Sequence, residues 1–154
     1  LCSSARTFSE IGVDGVVFGF LKNDEADFDL IATILGSAPR LKATFHHAFE
    51  AARNKLSLIK QLKKFSQIDR ILAHGGQGSW TEKSKRLARY QGAATPEIAL
   101  IAGGGLNLSV MEMIHSALPV TEFHFGTAAR VDGKGSRLCV SRLASLIHQQ
   151  SIDS

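Results

Sequence analysis

The sequence predicts an α/β domain that forms an incomplete (β/α) barrel of about five strand–helix units. Three observations predict this fold class: strand and helix patterns alternate, strand starts recur every roughly 23 to 28 residues, and several strands carry polar side chains on one face. A repeat of that size holds one strand, one helix and their loops, which favours a parallel sheet with right-handed crossovers. We interpret residues 1–154 as one partial barrel domain.

The predicted elements follow one another along the whole chain. Short runs rich in β-branched and aromatic residues predict strands over residues 14–21, 41–47, 69–74, 97–102 and 120–125. Apolar residues at helical spacing predict helices over residues 29–35, 54–65, 80–90, 108–118 and 136–149. Ser79 with Glu82 forms a capping box that opens the third helix, and Asn107 can cap the fourth.

Strand polarity favours a barrel over an open, doubly wound sheet. In a doubly wound sheet both faces carry helices and the strands are continuously apolar, whereas here polar and apolar residues alternate. The polar positions are Lys42, Thr44 and His46, then Arg70 and His74, then Glu122 and His124. An apolar face toward helices and a partly polar face toward the interior is typical of a TIM-type barrel. The interior charges are expected to pair with one another, because a buried unpaired ion costs several kcal/mol.

Composition and charge narrow the class of protein. The chain is 44% hydrophobic and 21% charged, which is typical of a globular domain, and the formal net charge is +4. The basic residues lie mainly in two amphipathic helix patterns, so we interpret them as a solvated face and expect no nucleic-acid partner. No apolar run approaches the ~20 residues of a membrane helix. Cys2 and Cys139 have no paired spacing, so we expect packing or surface thiols and a cytoplasmic location.

Histidines and glycines mark the predicted carboxyl ends of the strands. His46, His74 and His124 are expected to point into the barrel mouth, where imidazoles could hold a transition metal or act as a general base. Both uses stay open, as does a purely structural one. The three residues Gly103, Gly104 and Gly105 follow the fourth strand and Gly126 follows the fifth, which predicts an anion site or, alternatively, a tight strand-to-helix turn.

Four segments together resemble the CutC copper homeostasis family. They are Gly-Val-Val-Phe-Gly at residues 15–19, Thr-Phe-His-His-Ala-Phe-Glu at 44–50, Ala-Gly-Gly-Gly at 102–105 and Thr-Glu-Phe-His at 121–124. The resemblance implies a TIM barrel of which this chain holds strands four to eight. It also implies a role in copper homeostasis, with copper as the suspected cofactor. Family positions are matched by His46, Arg70, Glu122 and His124, whereas His47 and His74 replace other residues.

The resemblance places the favoured copper ligands on cysteines of the family's first two strands, which this chain does not contain. Copper binding is therefore expected of the complete form. The first residue is Leu1 and the units are too few to close a barrel, so we expect a processed chain or a piece of a longer one. Exposed sheet edges predict a homo-oligomer. The expected partner is a small ligand or a metal ion, and no membrane is expected.

Three functions remain open at the level of the sequence, and whether the chain is an enzyme is undecided. The first is copper homeostasis through a site at the barrel mouth. The second is an enzyme acting on a small phosphorylated or anionic substrate, in which His46 or His124 is the acid or base and Glu122 orients one of them. The glycines at 103–105 and Gly126 would then hold the anion. The third is an inactive fragment or an interaction module.

Overall fold

A computed structural model of the protein describes residues 1–126 and, beyond them, the backbone of residues 130–131 and 134–135. The predicted helix over residues 136–149 and Cys139 lie outside the described residues. The elements in chain order are α1 Cys2–Glu10, β1 Gly15–Phe18, β2 Leu21–Lys22, β3 Glu25–Ala26, α2 Phe28–Ser37, β4 Lys42–Phe45, α3 Ala48–Ala51, α4 Lys55–Leu62, β5 Ile68–Ala73, α5 Trp80–Ala94, β6 Ala99–Gly103, α6 Leu108–Ala117, β7 Glu122–His124, β8 Arg130–Val131 and β9 Lys134–Gly135.

The central sheet has five parallel strands in the spatial order β1, β4, β5, β6, β7. This order follows the chain, so each strand lies beside the next strand of the repeat, as in the wall of a barrel. In a doubly wound sheet, the spatial order of successive strands would instead reverse at an inner strand. All five predicted strands are present, and the expected α/β fold of partial-barrel type is confirmed.

One face of the sheet carries the hydrophobic core. Phe45 and Ile71 on this face are fully buried and pack with helix residues such as Ile59 and Leu87. Burial of each such side chain contributes about 1.5 to 3 kcal/mol relative to exposure. The prediction that the apolar positions of the strands face the helices is confirmed.

The opposite, inner face carries the polar positions and is not covered by any element within residues 1–126. The apolar side chain of Val17, on the edge strand β1, is 65% exposed. Arg70 on β5 and Glu122 on β7 reach across β6 and form an ion pair, with Nε and Oε2 2.8 Å apart. Lys42 does not pair with the other interior charges as expected. It lies at the exposed amino end of β4, and its Nζ donates to the Ser66 carbonyl at 3.2 Å.

Two short elements were not predicted. The predicted strand over residues 14–21 ends at Phe18, and the chain then forms the antiparallel hairpin of β2 and β3. Asn23 and Asp24 form its turn at φ of 54° and 62°, values that these two residue types tolerate better than most. The four-residue helix α3 follows β4 directly and places Glu50 beneath the sheet edge.

Side chains at the helix starts satisfy the free backbone amides. Ser79 and Glu82 form the predicted capping box of α5, and Asn107 accepts from the Val110 amide at the start of α6. Asp27 and Asn54 cap α2 and α4 in the same way. Within residues 1–126 no helix has the length and apolar character needed to cross a membrane.

Candidate functional site

Four histidines meet at the carboxyl edge of the sheet and are here named the histidine cluster: His46, His47, His74 and His124. The first two follow β4, His74 follows β5, and His124 is the last residue of β7. The rings of His47 and His74 are 5.9 Å apart between centroids. The expected convergence of His46, His74 and His124 thus includes His47, which the alternation pattern alone would have placed on the other face.

His46 has a defined tautomer because its neighbour in the chain bonds to it. The Ala48 amide donates to Nδ1 of His46 at 3.1 Å, so Nδ1 carries a lone pair and the neutral ring carries its proton on Nε2. The ring lies against Gly19, where a Cβ would approach Nδ1 to 2.8 Å. Gly19 is therefore required for this packing, and His46 presents an N–H donor.

His74 contacts the backbone of the loop that follows it. Its Nδ1 lies 3.1 Å from the Gly76 amide nitrogen and 3.3 Å from the Gly76 carbonyl oxygen, so this ring nitrogen can accept from the amide or donate to the carbonyl. The side chain lies against Gly104 of the neighbouring loop, where a Cβ would approach the Cβ of His74 to 2.7 Å. His74 is thus held between the loop after β5 and the loop after β6.

His47 is exposed, and its surroundings disfavour the charged form. Desolvation lowers the pKa of His47, the electrostatic influence of His74, His46 and His124 lowers it further, and Glu50 partly offsets this by raising it. His47 is consequently neutral at pH 7. A neutral imidazole is the form that binds a metal or accepts a proton.

Glu50, on α3 after β4, connects this helix to the loop after β5 through hydrogen bonds. Its side chain is only 9% exposed, and Oε1 accepts from the amides of His74 at 2.7 Å and Gly75 at 2.8 Å. Oε2 is buried and has no hydrogen-bond partner in the described part of the chain. In the sequence, Glu50 is marked only as the acidic residue that ends the motif at residues 44–50, and nothing in the sequence predicts its bonds to the amides after β5.

The glycine run after β6 turns sharply and leaves its backbone open. Gly104 and Gly105 have φ of +81° and +77°, which only glycine adopts freely, and both are exposed. No residue between 1 and 126 accepts a hydrogen bond from either amide. Gly103 is buried, and a Cβ there would approach Leu72 Cδ1 to 2.7 Å. Gly126 lies exposed beyond β7, two residues past the partner of Gly103. Anion binding by these glycines stays a prediction.

The remaining predicted residues lie deeper on the inner face. Arg70 donates to Glu122 and also contacts Asp69 at 3.0 Å, and its hydrogen bond to the Glu122 carboxylate raises the pKa of Arg70. The described contacts of Glu122 include no histidine, so its predicted role in orienting one has no bonded partner here. Thr44, Glu122 and His124 are among the residues that line an open depression of ≈ 430 Å³ on this face.

Metal coordination was the other use predicted for the cluster. Among residues 1–126, no group of three His, Cys, Asp or Glu side chains is placed so that it could hold a metal ion. Cys2 lies on α1, half-buried, with its Sγ 3.9 Å from the Thr33 carbonyl and far from the cluster in the fold. Cys2 therefore behaves as the expected packing thiol.

Comparison with known proteins places the chain in a family. The model of the CutC family matches residues 1–129. A family protein CutC from Bacteroides thetaiotaomicron is 33% identical over 117 residues, which are 75% of this chain and 47% of the relative. A family protein CutC from Pasteurella multocida is 28% identical over 130 residues, or 84% of this chain and 50% of the relative. The chain thus spans about half the length of the curated relatives it matches.

A solved structure confirms the fold. The crystal structure named as a candidate copper homeostasis protein CutC from Streptococcus agalactiae superposes with a TM-score of 0.73. It is 24% identical, and the match covers 80% of this chain and 60% of that one. At this identity the likeness speaks for the barrel-type fold, of which the chain holds a part.

Proposed function

This chain belongs to the CutC family, and we propose that it takes part in copper homeostasis through the mouth of its partial barrel. The observation that carries the proposal is the family match over residues 1–129, which includes the whole histidine cluster. The copper role itself comes from the name of the Streptococcus agalactiae structure. Neutral imidazoles such as His47 suit copper, which supports the cluster as the contact point. Two cysteines without paired spacing support the cytoplasm as its compartment.

A resident copper ion does not fit the residues that the structure describes. No three-ligand group is present within residues 1–126, and His46 uses Nδ1 to accept a backbone amide. Soft Cu(I) prefers thiolates, and Cys2 lies away from the cluster. We therefore assign direct copper binding to the complete family barrel and not to this chain alone.

Two measurements test this proposal. Deleting the gene in its host should shift copper tolerance and leave zinc tolerance unchanged, and the intact gene should restore it. Unchanged copper tolerance overturns the copper role. Separately, anaerobic Cu(I) titration of the 154-residue chain against a competing chelator should show no stoichiometric uptake. Uptake of one equivalent would contradict our assignment of the ligands while leaving the copper role intact.

A second candidate is an enzyme that acts on a small phosphorylated or anionic substrate. The specific observation in its favour is that the amides of Gly104 and Gly105 have no acceptor within residues 1–126 and belong to the loop that packs against His74. Donors of this kind bind oxyanions. In this function His46 or His124 serves as acid or base, and the exposed backbone of Gly126 provides a further contact for the anion.

Diffraction from crystals soaked in phosphate tests the second candidate. Phosphate density at Gly104 and Gly105 supports it, provided that the same crystals in chloride lack the density. Absence of density at high phosphate concentration counts against it. If copper tolerance is also unaffected and the histidines of the cluster are dispensable, the inactive-fragment interpretation is the one that remains.

A further inference from the structure

Two strands of the central sheet have a free side in the described part of the chain. β1 and β7 stand at opposite ends of the strand order, and no described strand pairs with their outer sides. The Asp14 and Phe18 carbonyls accept from amides of the β4 segment. Because successive backbone groups of a strand alternate between its two sides, those of Gly15 and Val17 point to the free side. An edge of this kind pairs with another strand unless it is covered or blocked.

Exposed apolar side chains concentrate at the β1 edge, the name used here for the free side of β1 and the exposed flank of α1. Among the described residues, five of the six large apolar side chains that are exposed lie within residues 1–17, namely Leu1, Phe8, Ile11, Val13 and Val17. Leu1, Phe8 and Ile11 recur at helical spacing along α1 and its caps, whereas Ala5 packs against α2 on another flank. Clustered exposed apolar groups are typical of an interaction surface.

Helix α1 holds the position of a crossover helix with one of its two strands absent from the described sheet. In a parallel sheet each crossover helix connects two strands and packs back onto them. α1 leads into β1, and no described strand precedes α1. The place on the free side of β1 is therefore open to a strand that runs parallel to β1.

β7 of a second copy fits that place. It runs in the same direction as β1 within the sheet, and its own outer side is free in the described structure. In a two-fold ring, β7 of each copy would lie beside β1 of the other, and the strand order would continue around the ring without a free edge. The two inner faces would then enclose one interior and hide the apolar depression lined by Val17, Leu72 and Ile101.

The charges near these surfaces permit such an association. At the amino end of the β1 edge, two acids and two bases line one open depression, namely Glu10, Asp14, Arg40 and Lys42. That region has no net charge although the chain carries +4, so like-charge repulsion between two copies is small there. On the inner face Glu122 is already paired with Arg70, so closure would bury no unpaired carboxylate.

We propose that this chain forms a closed two-fold dimer in which the β1 edge of each copy binds the outer side of β7 of the other. The proposal depends neither on the copper role nor on an anion site. It specifies the two edges, their parallel direction and the closure of the ring. Pairing of β1 with the second copy's β1 is disfavoured because two α1 helices would then meet over one seam.

Light scattering over about a hundredfold range of protein concentration tests the dimer. The mass should rise from 16.6 kDa to twice that value and then stay constant, because the ring is closed. Val17→Lys places a charge on the free edge and should raise the dimer Kd at least about tenfold. Val13→Lys should raise it several-fold. Leu56→Lys on α4 is the matched control, since Leu56 and Val13 are both 39% exposed, and it should dimerise as the parent does.

Hydrogen exchange at the two edges tests the arrangement within the dimer. Amides of Gly15 and Val17 should exchange more slowly as the protein concentration rises, and so should amides of β7. Slowing at β1 alone would overturn the pairing of β1 with β7. If Val17→Lys does not fold, exchange in the parent chain still decides between the two arrangements.

Three further results would overturn the proposal. A mass that keeps growing with concentration would show open assembly, and a dimer unaffected by a folded Val17→Lys variant would use another surface. A chain that stays monomeric throughout would show that no second copy binds. In that case, binding of the separately expressed amino-terminal half of the Bacteroides thetaiotaomicron relative would assign the β1 edge to that half instead.

Discussion

Two glycine-rich loops leave neighbouring strands at the same edge of the sheet, and they use their backbones in opposite ways. The closed loop, residues 75–79, follows β5, and the open loop, residues 103–105, begins at the last residue of β6. Both contain successive glycines at positive φ. Each is followed by a helix whose first turn is capped by a side chain, Ser79 at α5 and Asn107 at α6. In the closed loop the backbone is bonded to side chains of the protein, whereas the open loop has free amides in the described structure.

The two loops differ because side chains from other segments of the sequence bond to the closed loop. The closed loop receives Glu50 from α3 and Arg86 from α5, and Arg86 donates to the carbonyls of Gly75 and Gln77. Within residues 1–126, neither an acidic side chain nor an arginine bonds to the open loop. Glycine content therefore shows only that a backbone can turn; whether a loop can bind an anion depends on which groups already occupy its amides.

A methyl group added at one glycine of each loop should have the largest effect on the free energy of unfolding and should distinguish the two loops most clearly. Gly75 and Gly105 have nearly the same φ, +78° and +77°, so Gly→Ala carries the same backbone strain of about 1 to 2 kcal/mol at both. A Cβ at Gly75 would come to 2.8 Å from the Lys83 carbonyl oxygen, whereas at Gly105 it would meet nothing within 4 Å. We expect Gly75→Ala to lose a further ~2 kcal/mol of unfolding free energy in urea titrations. Equal losses would contradict the distinction between the loops.

Removal of the acid that closes the first loop should have the next largest effect. Glu50→Ala leaves the part-buried His74 and Gly75 amides without an acceptor, which costs about 2 to 3 kcal/mol. The loss stays near the lower end because the unpaired Oε2 of Glu50 is removed too. Asn107→Ala, which removes the cap behind the open loop, should cost ~1 kcal/mol. A smaller loss for Glu50→Ala than for Asn107→Ala in urea denaturation would be the contrary result.

Arg86 offers a milder way to open the closed loop. Lysine has one ammonium group and cannot copy the fork with which Arg86 bonds the Gly75 and Gln77 carbonyls. We expect Arg86→Lys to lose ~1 kcal/mol and to speed hydrogen exchange at the Gly75 and Gly76 amides. The neighbouring Arg89→Lys, at an exposed position of the same helix, is the control and should leave both unchanged. Exchange that stays slow in Arg86→Lys would show that Glu50 alone closes the loop.

The sequence predicts the fold better than the site because the two depend on different information. Periodicity and polarity are local, so the five strands, the helix-facing residues such as Phe45 and Ile71, and the caps at Ser79 and Asn107 could all be predicted. The hairpin of β2 and β3 was missed because a two-residue strand has too little pattern to detect.

The contacts of the site depend on residues that are distant in sequence. Glu50 reaches the closed loop across 24 residues, and Arg70 reaches Glu122 across 52. Pairing of Arg70 with Glu122 could be predicted since both lie on the interior face, but no pattern pointed to the bond from Glu50 to the loop amides. The expected self-association through exposed sheet edges stays a prediction, and a monodisperse monomer in light scattering would contradict it.

Acidification should produce the smallest effect and still distinguish the two loops. The pKa of His47 is lowered in the folded chain by desolvation and by the other histidines, so the unfolded chain binds more protons below about pH 6.5. Stability is thus highest above that pH and falls as the pH drops through the depressed pKa of His47. Protonation also adds charge beside His74, which the closed loop holds, so hydrogen exchange at Gly75 should speed up relative to its intrinsic rate, while Gly105, already open, should not change. His47→Gln should flatten the dependence of unfolding free energy on pH between about pH 7 and 5. An equal slope in parent and variant would show that another group controls the acid response of this edge.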